Sequence, residues 1–217
     1  MVRYRLMELG QLDASLRVWT IGHSAHSWER FIALLRNAGV TAIADVRTSP
    51  YSRFSPHFNR DEVCDGLRLD GISYVFLGKE LGGRPTSQQF YCEGVANYEK
   101  MAQTEDFKKG LERVIKGACK YKIALMCSEQ DPLDCHRCLL IGRALTARGV
   151  RVGHIQGNGA IATQDQIENR LLEFSGLSTD DMFAPREERL ATAYRDRARK
   201  VAFAQPQADP RGPIAAE

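Results

Sequence analysis

No apolar run in this 217-residue chain approaches the roughly 20 residues needed to cross a bilayer. The opening stretch from Met1 to Gly10 carries Arg3, Arg5 and Glu8 and has no apolar core of the kind a secretory signal requires. Neither a membrane partner nor export is therefore expected. Disulfide scaffolding is missing as well. Six cysteines (Cys64, Cys92, Cys119, Cys127, Cys135 and Cys138) are too few for a stapled fold in a chain this long. That usage points to a reducing, cytoplasmic setting with thiols buried, reactive or metal-bound. There is no second CxxC, and the spacing Cys127-x7-Cys135-x2-Cys138 is not that of a zinc finger. Charge of one sign is lacking too: 30 basic against 27 acidic residues leave +3, which permits an anionic partner without requiring one. No internal repeat is present.

What remains is a regular alternation of strands and helices. Arg17–Ile21 reads as a strand ended by Gly22-His23-Ser24. Ser27 then caps a helix with Trp28, Phe31, Leu34 and Leu35 on one face. Val40–Val46 is a second buried strand, Asp61–Asp70 a short helix and Ile72–Leu77 a third strand. Gly78–Gly94 reads as an irregular insertion, with helix following at Val95–Met101 and Glu105–Cys119. Lys122–Cys127 is the fourth strand, Cys135–Arg148 a helix and Arg151–Ile155 the fifth strand. Such spacing requires crossovers, so the expected fold is a three-layer α/β domain: a mostly parallel five-stranded sheet with helices on both faces. Residues 1–160 form that domain, and 161–204 a C-terminal helical extension with an apolar stripe of Leu190, Tyr194, Ala198 and Val201. Residues 205–217, rich in Pro and Ala, read as a disordered tail.

Each strand read to its carboxyl end delivers chemistry to one edge, where open parallel sheets bind ligands. The residues are His23 and Ser24, Asp45 and Arg47, Tyr74, Cys127 and Glu129, and His154. With Asp134 as N-cap, Cys135, His136 and Arg137 become the first helical residues, where free N–H groups and the helix dipole favour an anion. Arg47 and Arg137 supply forked donors for phosphate or carboxylate. Asp45 and Glu129 are candidates for acid and base, and His23 or His136 for a proton shuttle. Cys127 or Cys135 could be a nucleophile, a thiol at a helix N-terminus being open to pKa depression. Equally, the cysteines can be packing residues, and Arg137 can simply pair with Glu129 or Asp45. A tetrahedral metal set could start from Cys135 and Cys138, which share a helical face, with Cys127, His136, His23 or His154 completing it. The loop Pro50–Asn59 offers Ser52, Arg53, Ser55, His57 and Asn59 to a phosphate or a base, with Tyr51, Phe54 and Phe58 as stacking surfaces, or is equally an ordered surface loop anchored by those aromatics.

Several segments resemble the family called domain of unknown function 488. They are Thr20-Ile21-Gly22-His23-Ser24, Asp45-Val46-Arg47, Ser49-Pro50, Ser52, Pro56, Phe58-Asn59, Gly71-Ile72-Ser73-Tyr74, Leu81-Gly82-Gly83, Met126-Cys127-Ser128-Glu129 and Cys135-His136-Arg137. The segment around Met182-Phe183 and the helix with Tyr194 are similar to the C-terminal extension of many members. The resemblance implies a compact α/β domain whose site is His23, Ser24, Asp45, Arg47, Cys127, Glu129, Cys135, His136 and Arg137. It implies no particular reaction, and Cys138 matches no position of the family pattern.

The leading expectation is an intracellular enzyme acting on a phosphate-bearing small molecule, nucleotide or nucleic acid. Arg47, Arg137, Ser24, Ser52 and Tyr74 would bind its anion, and no motif requires a cofactor. The alternatives are a non-catalytic nucleic-acid-binding module using the basic C-terminal helix, and a Cys/His metal-binding or redox protein. Oligomeric state is left open.

Overall fold

The computed structural model describes residues 16–177 and 184–206. Met182-Phe183 and most of the expected tail lie outside the described residues. Strand β1 (Arg17–Gly22) leads through α1 (Trp28–Asn37) to β2 (Ala42–Asp45), and α2 (Arg60–Leu69) leads to β3 (Ser73–Phe76). Ser27 caps α1 as expected, its hydroxyl accepting from the Arg30 N–H at 3.3 Å. A short α3 (Gly78–Leu81) and a two-residue hairpin, β4 (Tyr91–Cys92) with β5 (Val95–Ala96), fill the stretch read as irregular. Helix then begins only at α4 (Tyr98–Ala102), where Asn97 caps it, rather than at Val95. After α5 (Glu105–Ala118) come β6 (Ile123–Cys127), a π-helical stretch Arg137–Gly142 continuing as α6 (Arg143–Thr146), and β7 (Arg151–Ile155). The chain closes with β8 (Ile161–Thr163), α7 (Gln164–Phe174) and α8 (Arg186–Val201).

The sheet runs in the order β3-β2-β6-β1-β7-β8. Its first five strands are parallel, as expected, and β8 adds a sixth, antiparallel edge strand that sequence reading missed. Three residues are too few to show a periodicity. The turn Gly157-Asn158-Gly159, closed by the Gln156 N–H to Ala160 carbonyl bond at 2.8 Å, makes the reversal. The crossover from β1 to β2 passes β6, and that from β6 to β7 passes β1. The chain therefore leaves the adjacent central strands β1 and β6 in opposite directions, opening a crevice at their carboxyl ends.

Buried strand residues alternate between two apolar layers. Ile43, Ala124 and Met126 pack with α1 and α2 through Phe31, Leu35, Val63 and Leu67. Ala44, Ile123, Leu125 and Cys127 pack on the opposite face, against α4 to α8. Ile167, Leu171, Leu172, Ala193 and Tyr194 belong to that second layer, so the C-terminal helices share the core of the sheet. No helix among the described residues is long and apolar enough to cross a membrane.

A buried polar chain ties α7 and α8 to the sheet. His154 Nδ1 meets Thr20 Oγ1 at 2.8 Å and its Nε2 meets Gln164 Oε1 at 2.8 Å. Gln164 Nε2 donates to the Tyr194 hydroxyl at 2.6 Å, which donates to Glu168 at 2.9 Å. His154 is therefore a structural residue away from the crevice. Burial lowers its pKa from 6.5 to about 4, against the partial support of Gln164. The unfolded chain takes up this proton near pH 6.5 and the fold resists until about 4. Stability is thus whole above that window and falls as pH drops through it, by roughly 3 kcal/mol from this one group. Urea midpoints measured from pH 7 to pH 4 should fall less steeply in His154→Gln than in the parent chain. Parallel curves would show that His154 does not titrate on unfolding.

Candidate functional site

The carboxyl end of β6 presents Cys127 toward the face that carries α4 to α8, because Ile123, Leu125 and Cys127 alternate with Ala124 and Met126. The chain then crosses the end of β1, where the His23 N–H binds the Cys127 carbonyl at 2.8 Å and the Ser24 N–H binds that of Ser128 at 2.9 Å. This crossing passes so close to Gly22 that a Cβ there would lie 1.8 Å from the Glu129 carbonyl oxygen. Ser24 takes the left-handed region (φ 47°) to make the turn.

The next helix does not start as the sequence suggested. Asp134 ends a 3-10 turn (Pro132–Asp134), and Cys135 itself is extended (φ −137°, ψ 139°). The Cys135 carbonyl accepts from the Cys138 and Leu139 N–H groups at 3.1 and 3.0 Å, so Cys135 rather than Asp134 caps the helix. Pro132 is the cause, since it favours a separate turn and the chain must re-extend before winding again. The Arg137 N–H then points to Cys135 Sγ at 3.4 Å. The helix start does favour an anion, and the group placed to be that anion is the protein's own sulfur.

Four reactive side chains meet here. Glu129 Oε2 lies 2.9 Å from Cys127 Sγ and 3.0 Å from Cys135 Sγ. His136 Nδ1 lies 3.7 and 3.8 Å from the same two sulfurs, and its Nε2 is 2.9 Å from the Val46 carbonyl. A carbonyl only accepts, so Nε2 carries a proton, and in the neutral ring the Nδ1 lone pair faces the thiols. Gly83 packs flat on the imidazole, where a Cβ would come within 2.8 Å of Cγ. Glu129 is exposed along its length but turns Oε2 inward; desolvation there, then the negative charge of Cys135, raises its pKa. Burial alone raises both thiols. At Cys135 it is overcome by a hydrogen bond from Cys127 and the charges of Arg137 and His136, which hold that thiol well below its ordinary value. At Cys127 burial is reinforced by the hydrogen bond and charge of Cys135, and the thiol is pushed well up. The pair thus releases one proton readily and keeps the other. Burial works to lower the His136 pKa, but the Cys135 charge outweighs it and the net shift is upward.

Cys127, Glu129 and His136 line a cavity of about 270 Å³ together with Arg47, Thr48, Ser49, Arg84, Tyr98, Ser128, Asp134 and Phe203, among others. Arg84, Tyr98 and Phe203 were not legible as site residues. Arg84 stood in a stretch without periodicity, although its place after Gly82-Gly83 was a usable hint. Phe203 comes from beyond α8, where no sequence signal connects it to the strand ends. Its carbonyl accepts from the Ala96 N–H at 2.9 Å, and its ring carries the Arg84 guanidinium at 4.8 Å.

Asp45, Arg47, Tyr74 and His23 form a second group on the other face of the sheet. Arg47 is held by Asp45 through Nε at 2.9 Å and Nη2 at 2.7 Å, and by the Phe58 carbonyl at 2.8 Å. Tyr74 donates to Asp45 at 2.9 Å, so a fully buried carboxylate expected to act as acid or base is instead the anchor of an internal ion pair. His23 stacks on Phe58 at 4.4 Å, with Nδ1 3.0 Å from the Ser24 carbonyl and Nε2 3.3 Å from Arg47. Burial, followed by the Arg47 charge, lowers its pKa to about 4. Of this group only Arg47 also lines the cavity. Ser52 is occupied within its loop, its hydroxyl accepting from the Phe54 N–H at 3.2 Å and its own N–H donating to Asn59. Arg137 is fully buried and donates to the Glu129 and Gln130 carbonyls at 2.6 and 2.9 Å rather than to any carboxylate. Cys138, expected as a metal ligand on one helical face with Cys135, is turned into the core beside Gln164, because Cys135 is not helical. Its thiol is pushed up to about 12 by burial.

The family model described as domain of unknown function DUF488 matches residues 27–144, more than half of the chain. The chain belongs to the DUF488 family. No curated protein and no solved structure matches it. The matched DUF488 stretch runs from just before α1 into α6, so it contains the whole Cys127–Glu129–Cys135–His136 cluster and Arg137, while His23, Ser24 and His154 fall outside it.

The loop bearing Glu129 depends on the absence of a side chain at residue 22. Gly22→Ala must displace the Glu129 backbone and is expected to cost about 3 kcal/mol, at the upper end for overpacking. An unfolding free energy from denaturant titration within about 0.5 kcal/mol of the parent, the spread of neutral surface changes, would contradict that packing.

Proposed function

We propose that this DUF488 domain is an enzyme acting on a small anionic molecule. Arg84 anchors the anion and Glu129 moves a proton above the Cys127–Cys135–His136 cluster. The observation that carries this reading is the cavity itself: its floor holds a carboxyl, a thiol and an imidazole, and its rim holds the Arg84 side chain. Arg47 and Arg137, the arginines expected to bind the substrate, turn their guanidinium groups to partners inside the protein, and Arg137 is fully buried with only its Nε left without a hydrogen-bond partner. Arg84 has no carboxylate partner among the described residues, is exposed, and is steadied by the face of Phe203. Its backbone N–H is pinned to Thr48 Oγ1 at 3.0 Å. Arg84 and Thr48 also border an adjoining groove of about 680 Å³, which leaves room for a substrate extending past the anion. Ser49 and Thr48 add hydroxyl donors along the same wall. Glu129, half in solvent and half on the sulfurs, suits proton transfer because its raised pKa moves it toward neutral pH.

Inorganic phosphate is the first probe. Titration of the full chain is expected to show binding that Arg84→Ala weakens at least tenfold, hydrogen bonds to charged groups being worth about 1.5–3 kcal/mol. Glu129→Gln should keep that affinity. In a panel of phosphate monoesters and anhydrides, the compound turned over should react roughly 100-fold or more slowly with Glu129→Gln, the usual scale for loss of a general acid or base. Equal phosphate affinity in Arg84→Ala and the parent, or no phosphate binding by the parent, would remove the anchor from this reading.

A further inference from the structure

We infer that Cys127, Cys135 and His136 hold a thiophilic divalent cation of the zinc class at the floor of the cavity. This deepens the enzyme reading and rests on it only for the placement of the cluster beneath the substrate. The three ligand atoms, two sulfurs and Nδ1, all lie within 4.8 Å of one another, and all three residues are buried. Bonds of about 2.3 Å to sulfur and 2.0–2.1 Å to imidazole nitrogen give a tetrahedral sulfur-to-nitrogen edge of roughly 3.5–3.6 Å. The two sulfur-to-nitrogen edges here are 3.7 and 3.8 Å, so each needs to close by only a few tenths of an ångström to seat an ion.

The imidazole is set for this role by its other nitrogen. The Val46 carbonyl at 2.9 Å takes the Nε2 proton and aims the Nδ1 lone pair at the sulfurs, which is how ligating histidines are usually held. Two adjacent residues can reach one ion here because their backbones differ. Cys135 is extended and His136 helical (φ −60°, ψ −24°), and the change of direction brings both side chains to one side. Cys127 arrives separately at the end of β6, so the ligands are fixed by a strand and by the start of a helix.

Charge also balances. Arg137 is a fully buried cation whose hydrogen bonds go to neutral carbonyls, and it has no ion pair among the described residues. A dication with two thiolates and the Glu129 carboxylate leaves one net negative charge, which Arg137 beside the cluster offsets. Glu129 Oε2, close to both sulfurs and open to the cavity, stands where a fourth ligand or a proton acceptor is needed. An ion so held would supply a Lewis acid to an oxygen of the bound substrate.

The test uses the full chain stripped with a chelator and then titrated with cobalt(II) and with zinc(II). Equimolar uptake is expected, with the visible d–d bands of tetrahedral cobalt and a thiolate-to-cobalt charge-transfer band, both displaced by zinc. Cys135→Ser and His136→Gln should each weaken cobalt binding by more than the roughly 100-fold that loss of an outer-shell partner can cause. Cys138→Ser should leave it unchanged. If a ligand variant fails to fold, mass mapping of alkylated thiols in the parent chain decides instead: zinc should shield Cys127 and Cys135 but not the exposed Cys64, Cys92 and Cys119. Absence of the charge-transfer band, or alkylation of Cys127 and Cys135 at the same rate with and without zinc, would overturn the inference. Arg84→Ala should bind cobalt normally, so a chain that takes cobalt but not phosphate fails only the substrate reading. One that takes phosphate but not cobalt fails only this inference.

Discussion

The site depends on a buried guanidinium that touches no carboxylate among the described residues. Arg137 reaches back from the helix start and grips the Glu129 and Gln130 carbonyls. That grip bends the chain leaving β6 across the end of β1 and turns the Glu129 carboxyl onto the two sulfurs. Hydrogen bonds to a charged donor in a dry setting are among the stronger single contacts in a fold. They are matched here by a steric condition on the other side of the same loop, since only a residue without a Cβ fits at Gly22. Arg137 also sits beside Cys135, where its charge favours the sulfur anion that takes the Arg137 N–H. One side chain thus shapes the loop and sets the local electrostatics.

The second organising fact is that the residues at the carboxyl edge form two groups. Asp45, Arg47, Tyr74, His23 and Phe58 make a closed assembly on the α1 and α2 side, in which donors and acceptors satisfy one another. Cys127, Glu129, Cys135 and His136 make an open one on the opposite side, with a cavity above it. The two meet through Val46, whose carbonyl orients His136 while its neighbours Asp45 and Arg47 form the ion pair. An enclosed ion pair of this kind holds strand ends and loop in register more than it adds net stability.

Much of this was legible in the residues. Apolar runs with turn residues after them identified the five parallel strands, and Ser27 before an amphipathic run identified the cap of α1. The cluster at residues 127–137 stood out because a strand end and a helix start, only eight residues apart, both carried reactive groups. What failed did so for identifiable reasons. Asp134 has the side chain of an N-cap, which makes Cys135 the first helical residue by sequence, whereas Pro132 imposes a separate turn that Asp134 ends. β8 is too short for a pattern. Phe203 and Arg84 come together from segments more than a hundred residues apart, and neither carries a mark of its partner.

By itself the sequence determined the α/β alternation, the edge of the sheet at which chemistry collects and the residue types gathered there, because strand and helix periods follow from local chain geometry. Only the tertiary structure decided which of those groups are free to act. In a strand buried on both faces, nothing local tells Cys127 from Met126; the packing layers do. Nothing local tells a guanidinium that will bind a ligand from one that will bind a carbonyl eight residues back. That choice is made by which acceptors burial brings within reach, and it placed Arg47 and Arg137 inside the protein and left Arg84 at the mouth of the cavity.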